Sequence, residues 1–402
     1  MAGQIPTRFG KCNVVKMLGQ GATAVVYLAR HEGLDIPVAV KVLRRGLSRR
    51  KPEYAERFLR EARMAAWLEH PNIVRVIDCG IENDYHYMVM DYVDGPNCLE
   101  MLQDSPDGLD WRESADIVRQ AANGLAYAAR KDVIHRDVKP SNLMLDSDRR
   151  VRVTDLGLAK LTIEGMVSLT QELHTVGTPN YMSPEQVKSS SGLDKRADIY
   201  SLGASFYHLV TGRPPFSGRN PMEVVAKHLS TPLKPPVSVK TSLPADLSAV
   251  ICKMMAKDTD QRYQGYDALI EDLENLLEGV TVSVAGFTET QLTAEDEAEL
   301  RKVLDELNFA QELSIEEDEA PTVPAADEPE QAADQGSTEL ALFGPEDYGA
   351  YKPSEDETAG STILASYSAR RGEDHTALIV GLILAAVVGI VLIAVLILVS
   401  RS

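Results

Sequence analysis

The chain has 402 residues, long enough for one large catalytic unit or two modest domains. Its formal net charge of −19 is concentrated in residues 281–375, with 24 acidic and 5 basic side chains, whereas residues 1–280 are almost balanced at 36 and 35. That balance gives no compositional basis for a nucleic-acid partner, and four scattered cysteines (Cys12, Cys79, Cys98, Cys252) without a CxxC pair suit neither a zinc site nor a disulfide framework.

The opening stretch, MAGQIPTRFGKC, has no apolar run and no glycine at position 2, so neither a signal peptide nor N-myristoylation is expected. In MLGQGATAVVYLAR (Met17–Arg30), apolar residues alternate around Gly19 and Gly21. This predicts a hairpin whose turn brings backbone amides near a phosphate. By itself such a hairpin is only a turn. Ala24 stands where a GxGxxG pattern has its third glycine, and the strand-like run that follows excludes a dinucleotide fingerprint, which needs a helix there.

Next, IPVAVKVL places Lys41 inside an apolar strand. A lone lysine there is usually edge protection. The following run, EYAERFLREARMAAWLEHPNIV, reads as a helix with Phe58, Leu59, Ala62, Ala65 and Ala66 recurring on one face. Glu61 on that helix is the expected partner of Lys41, and an ion pair between them would hold the ammonium where it can bind two phosphates.

The densest chemistry lies in VIHRDVKPSNLMLD, where His135, Arg136, Asp137, Lys139 and Asn142 fall within eight residues. Pro140 keeps this loop from becoming a helix. A carboxylate there can accept a hydroxyl proton, and an amide five residues on can ligate a metal. In VTDLGLAK, Asp155 ends a strand before Gly157. Two oxygen donors separated in this way suit Mg²⁺, which takes few protein ligands.

From about residue 9 to 275, these motifs resemble, in order and spacing, the Hanks-type (eukaryotic-like) serine/threonine protein kinases, especially their bacterial membrane-anchored members. The resemblance implies an α+β, two-lobed protein kinase fold over 9–280. A small β-rich N-lobe with one regulatory helix would span about 9–93, and a larger helical C-lobe about 94–280. It implies that Leu18, Gly19, Gly21 and Val26 cover ATP, and that Lys41, paired with Glu61, holds its α/β-phosphates. Ala39 and Met144 would sandwich the adenine, Met90 would line the pocket, and the backbone of Asp91 to Val93 would face the ring. Asp137 would orient and deprotonate the acceptor hydroxyl, with Asn142 and Asp155 holding Mg²⁺, for which Mn²⁺ could substitute. Lys139 and Thr178 match the pair that marks serine/threonine acceptors. Glu185 of YMSPE would pair with Arg262, and Asp198 would brace the catalytic loop.

Three residues depart from the family pattern: Ala24 in the glycine loop, Leu156 for the Phe of DFG, and Ser183 for the Ala of APE. None removes a charge that phosphoryl transfer needs. The activation segment offers Ser168, Thr170 and Thr175. Thr170 is the expected site of autophosphorylation, served by a transient kinase-domain dimer, with Arg136 as the anion's partner. The second such site falls on Glu172, already a negative charge. Ordinary loop hydroxyls remain the plainer alternative.

Residues 281–375 read as an acidic, mostly disordered linker. A short helix near 294–310 carries Leu300, Val303, Leu304 and Leu307 on one face, and local packing is favoured for it over oligomerisation. Residues 376–399 hold no charge and as a helix would extend about 36 Å, enough to cross a bilayer core of about 30 Å. A C-terminal transmembrane helix is therefore expected, with the kinase domain on the cytoplasmic side of a bacterial inner membrane and protein substrates, not nucleic acid, as partners. Two other functions fit the residues less well. A pseudokinase scaffold would lack Lys41, Asp137 or Asp155, and all three are present; a small-molecule kinase would lack the Lys139, Thr178 and SPE set.

Overall fold

The computed structural model describes residues 6–21, 23–50, 52–156, 179–188 and 192–284. The activation-segment hydroxyls, residues 285–375 with the helix near 294–310, and the 376–399 span lie outside the described residues, while Val282 and Val284, at the expected start of the linker, are buried against the helical core. Among those described, no helix is long and apolar enough to cross a membrane.

The N-terminal part is one antiparallel sheet. Its strands are β1 (Arg8–Phe9), β2 (Cys12–Gln20), β3 (Ala24–His31), β4 (Ile36–Leu43), β5 (Val76–Glu82) and β6 (Tyr85–Asp91), in the order β1-β2-β3-β4-β6-β5. Strand β4 explains the layout. Successive side chains of a strand point to opposite faces, so Val38, Val40 and Val42 join Phe9, Cys12, Tyr27, Tyr87 and Val89 in one apolar cluster. Ala39, Lys41 and Leu43 face the other way. Register sets Val26 and Met88 beside Lys41, and Leu28 and Met90 beside Ala39, so the alternation that builds the core also aims the lysine.

Two helices follow β4: α1 (Arg45–Arg50) and α2 (Pro52–Ala65). The buried face of α2 is Ala55, Phe58, Ala62 and Ala65, packed on Leu43, Val76 and Met88. Leu59 is partly buried there, but Ala66 is exposed, because the helix has ended and the chain turns away.

The C-terminal part is helical. It comprises α3 (Cys98–Asp104), α4 (Trp111–Ala129), α5 (Pro184–Val187), α6 (Lys195–Thr211), α7 (Pro221–Ser230), α8 (Pro236–Val239), α9 (Ala245–Met254) and α10 (Tyr266–Glu278), with a hairpin of β7 (Leu143–Leu145) and β8 (Val151–Val153). Helix α6 is buried on every side, as a helix without a polar face must be. It stops at Gly212, which takes φ +74° as a left-handed cap; a Cβ there would meet the Pro106 carbonyl oxygen. Sheet and helices are tied by Asn72: its C=O accepts from Val153 N–H, and its side-chain amide donates to the Val151 carbonyl, both at 2.9 Å.

Arg262 is wholly buried and uses all five of its donors. Two go to Glu185 (2.7 and 2.9 Å), and the others go to the carbonyls of Ala256 (2.6 Å), Arg196 (3.1 Å) and Lys257 (3.1 Å). Removing one member of such a pair strands a desolvated charge. Glu185→Ala should cost about 3–5 kcal/mol in chemical denaturation, while Glu185→Leu with Arg262→Met should recover much of it. A single-variant loss below about 1 kcal/mol would show that the pair is not what holds this corner.

Candidate active site

The catalytic loop is held from beneath by α6. Asp198, 2% exposed, accepts the backbone N–H of His135 at 2.7 Å on one oxygen and that of Arg136 at 2.8 Å on the other. Arg136 is thereby kept at φ +64°, a left-handed conformation that a long side chain adopts only under constraint. The His135 ring is buried beside it. Its Nδ1 accepts from Asp137 N–H at 3.2 Å, so the proton sits on Nε2 and donates to the Thr154 carbonyl at 2.9 Å. His135 therefore joins the loop to the end of β8.

Within this frame Lys139 and Asn142 both reach Asp137. Lys139 Nζ lies 2.8 Å from Asp137 Oδ2, and Asn142 Nδ2 donates to the Asp137 carbonyl at 2.9 Å and more weakly to Oδ2 at 3.3 Å. With its NH₂ group committed, Asn142 keeps Oδ1 as the atom able to ligate a cation. Asp155 follows Thr154 at φ +54°, and its Oδ1 lies 2.6 Å from Lys41 Nζ. Leu156 packs among Leu68, Ile73, Ala128 and Val133, so the residue in the DFG Phe position is indeed an apolar plug.

The Lys41–Glu61 ion pair expected from the sequence is not formed. The ammonium goes to Asp155, and Glu61 Oε1 is buried without a hydrogen-bond partner among the described residues. Burial, with the Asp155 charge adding to it and Lys41 opposing it, raises the Glu61 carboxyl to about 7. Burial works against ionisation of Lys41 and Asp155 too, but their mutual attraction prevails, raising the lysine and holding the aspartate below its ordinary value. Two carboxylates compete for one ammonium, and the nearer one has it.

Ala39, Met90 and Val93 form one apolar cluster with Val74, flanked by Val26 and Met144. These are the residues expected around a planar ring, with Val74 added. Asp91 ends β6 with its N–H on the Arg75 carbonyl at 3.0 Å and its carboxylate near Arg75 (3.5 Å) and Arg152 (3.4 Å). Above the cleft Leu18 is exposed, and a Cβ on Gly19 would meet nothing within 4 Å. The Gly21 amide does not point freely at the cleft, because it donates to the Ala24 carbonyl at 2.8 Å. Thr178 lies outside the described residues, so its pairing with Lys139 is not seen.

Sequence reasoning missed Gln186. Its Nε2 donates to the Arg136 carbonyl at 2.7 Å, while its Oε1 accepts from Ser183 N–H and Oγ at 3.1 Å. The S-x-x-Q spacing of a capping box was the available signal. Ser183, a departure from APE, thus orients the side chain that supports the catalytic loop.

The state of Glu61 predicts a pH dependence. The folded protein binds this proton more tightly than the unfolded chain, so the contribution to stability is full below the ordinary carboxyl value of 4.5 and is lost as pH rises through about 7. Denaturation midpoints followed across about pH 5–8 should therefore decline less in Glu61→Gln than in the parent. Parallel profiles would show that Glu61 is not the proton-binding group.

The comparisons with known proteins agree with this geometry. The family model described as a protein kinase domain matches residues 12–273. A probable serine/threonine-protein kinase of Streptomyces coelicolor is 38% identical over 277 residues, covering 68% of this chain and 41% of its own length. Serine/threonine-protein kinase PknB of Mycobacterium tuberculosis is 38% identical over 268 residues, covering 66% of this chain and 42% of its own. The crystal structure of the PknI kinase domain from M. tuberculosis superposes with a TM-score of 0.55 at 30% identity, covering 69% of this chain and 100% of that one. The chain spans about two-fifths of the length of the curated relatives it matches. With its two-lobed architecture, its braced catalytic loop and this match over most of the folded region, the chain belongs to the protein kinase domain family, in the Hanks-type bacterial branch.

Proposed function

We propose that this protein is a serine/threonine protein kinase that transfers the γ-phosphoryl group of ATP to hydroxyls of protein substrates from a membrane-tethered position. The observation that carries the reading is the convergence of Asp137, Lys139 and Asn142 with the Lys41–Asp155 pair at one cleft. Phosphoryl transfer asks a protein for positioning and charge neutralisation more than for covalent chemistry, and these residues supply both.

The donor set fits a nucleotide with a hard cation. The apolar cluster of Val26, Ala39, Met90, Val93 and Met144 suits adenine, and Lys41 suits the phosphates. Asn142 Oδ1 and the Asp155 carboxylate are oxygen ligands of the kind Mg²⁺ prefers, and Mn²⁺ is a chemically similar substitute. When bound, Mg-ATP supplies the phosphoryl group and neutralises part of its charge. Asp137 orients the acceptor hydroxyl and takes its proton, and Lys139 steadies the carboxylate that does so. If Asp155 is engaged by a cation, Glu61 is the anionic partner left for Lys41. A pseudokinase scaffold is not favoured, because no residue essential to transfer is missing.

Autophosphorylation of the activation segment, through a transient kinase-domain dimer, belongs to the same reading, with Thr170 as the site. Arg136 supports it as a cationic residue next to Asp137 in sequence, of the kind that pairs with a phosphate. The uncharged 376–399 segment supports a single-pass C-terminal anchor in a bacterial cytoplasmic membrane, with the kinase domain on the ATP side and the acidic 281–375 segment as its tether.

Incorporation of radiolabel from ATP into a generic protein acceptor tests the chemistry. Lys41→Met and Asp137→Asn should each lower it about a hundredfold or more, and near-parental turnover in either would overturn the mechanism. In the same assay Thr170→Ala should be slower than the parent with unchanged thermal unfolding; equal rates would remove Thr170 from activation. Flotation with vesicles tests the anchor. On vesicles of phosphatidylcholine alone the full chain should float, and a chain cut before Thr376 should stay behind with its kinase rate intact, whereas flotation of the cut chain would refute the assignment.

A further inference from the structure

Helix α2 carries Glu61 on its inner side, and its outer side has no partner among the described residues. Arg60, Arg63 and Met64 are exposed there, and Trp67, in the turn just after the helix, is 79% exposed. The helical spacing i, i+3, i+4 puts Arg60, Arg63 and Met64 on one stripe, and Trp67, whose N–H donates to the Met64 carbonyl at 3.2 Å, continues it from the turn. Trp67 is the most exposed of the large hydrophobic residues among those described. Neither Arg60 nor Arg63 makes an ion pair among the described residues, although most other arginines near this surface are engaged. Arg45 and Arg49 hold Asp84, Arg44 donates to the Gly21 carbonyl, and Arg57 lies over the Tyr54 ring. Glu53 and Glu56 toward the helix start, and Glu69 beyond Trp67, bound the stripe.

We infer that this stripe docks on the anionic lipid surface of the membrane to which the chain is tethered. The chemistry matches that surface. Indole settles at the boundary between headgroups and acyl chains, a thioether enters the same layer, and guanidinium groups pair with lipid phosphates. A protein partner is the weaker reading, since four residues are far fewer than the roughly 20–30 per side of a stable protein interface. A lipid surface asks for less, because the tether makes docking intramolecular and lets a weak contact be populated. The inference rests on the anchored-kinase reading, and it adds which face of the domain meets the bilayer.

Fluorescence of the full chain in vesicles tests it. Trp67 and Trp111 are the two tryptophans, and Trp111 is partly buried against the helical core. In phosphatidylcholine vesicles containing phosphatidylglycerol, emission should shift to the blue and be quenched by brominated lipid. Both effects should vanish in pure phosphatidylcholine, in high salt, and in Trp67→Phe. Arg60→Glu with Arg63→Glu should lower the docking constant by more than about 25-fold, roughly fivefold for each lost arginine. A chain that floats with anionic vesicles while Trp67 stays unquenched overturns the docking and leaves the anchor standing. Quenching that is indifferent to anionic lipid overturns it as well. A chain that does not float defeats docking and anchor together.

Discussion

The precision of this site rests on one buried carboxylate. Asp198 has no solvent to stabilise its charge, and burial pushes its carboxyl up. The amides of His135 and Arg136 and their neighbouring charges act against that desolvation. Hydrogen bonds to a charged acceptor are each worth about 1.5–3 kcal/mol, enough to keep Arg136 in its left-handed conformation. The two sides of the bargain need each other, because without the amides the acid would be intolerable in α6, and without the acid the loop would relax. A second support arrives from the opposite direction, where Arg262 holds Glu185 and the adjacent Gln186 grips the Arg136 carbonyl. Amide and carbonyl of one residue are thus fixed by two parts of the helical core, and Asp137, next in sequence, inherits that rigidity.

The sheet side of the cleft is built to a different tolerance. Lys41 sits on β4, a strand with partners on both sides and a core face buried to completion. Glu61 sits on α2, whose buried face is three alanines and one phenylalanine. Alanine removes little apolar area from water, and burial stabilises in proportion to area, at about 25 cal/mol per Å². Displacing α2 along the sheet therefore costs less than displacing a strand. The unpartnered Glu61 oxygen and the Lys41–Asp155 contact express the same asymmetry, with rigid elements holding the ion pair and the lightly packed helix holding the carboxylate left over.

Much of this was legible in the sequence for a physical reason. Catalytic residues confined to one loop keep their relation whatever surrounds them, so the eight residues from His135 to Asn142 could be read directly. Strand alternation also aims a side chain without tertiary knowledge and puts Ala39 and Lys41 on one face of β4, whereas the roles of Ala39 and Val26 came only through the family resemblance. Pairings that depend on the relative position of two elements were harder. Glu61 was placed on the correct helix and near the correct lysine, yet which carboxylate takes the ammonium is a competition over distances of a few ångströms that no spacing encodes. Glu185 and Arg262 were matched only through family resemblance, since 77 residues separate them. Gln186 had a local signal in its capping box, but its second bond reaches a loop 50 residues away.

The same lightly packed helix joins the cleft to the surface. Arg60, Glu61 and Ala62 are consecutive, and a helix turns about 100° per residue, so one residue faces outward, the next the lysine, and the third the sheet. A contact on the outer stripe is therefore a force on the element that carries Glu61. That element presents a carboxyl oxygen with no hydrogen-bond partner among the described residues, beside an ammonium already held by Asp155. The acidic 281–375 segment then gains a physical role besides length. Within the docking proposed above, its charge would be repelled by the anionic surface that attracts Arg60 and Arg63, so tether and stripe would respond oppositely to the same bilayer.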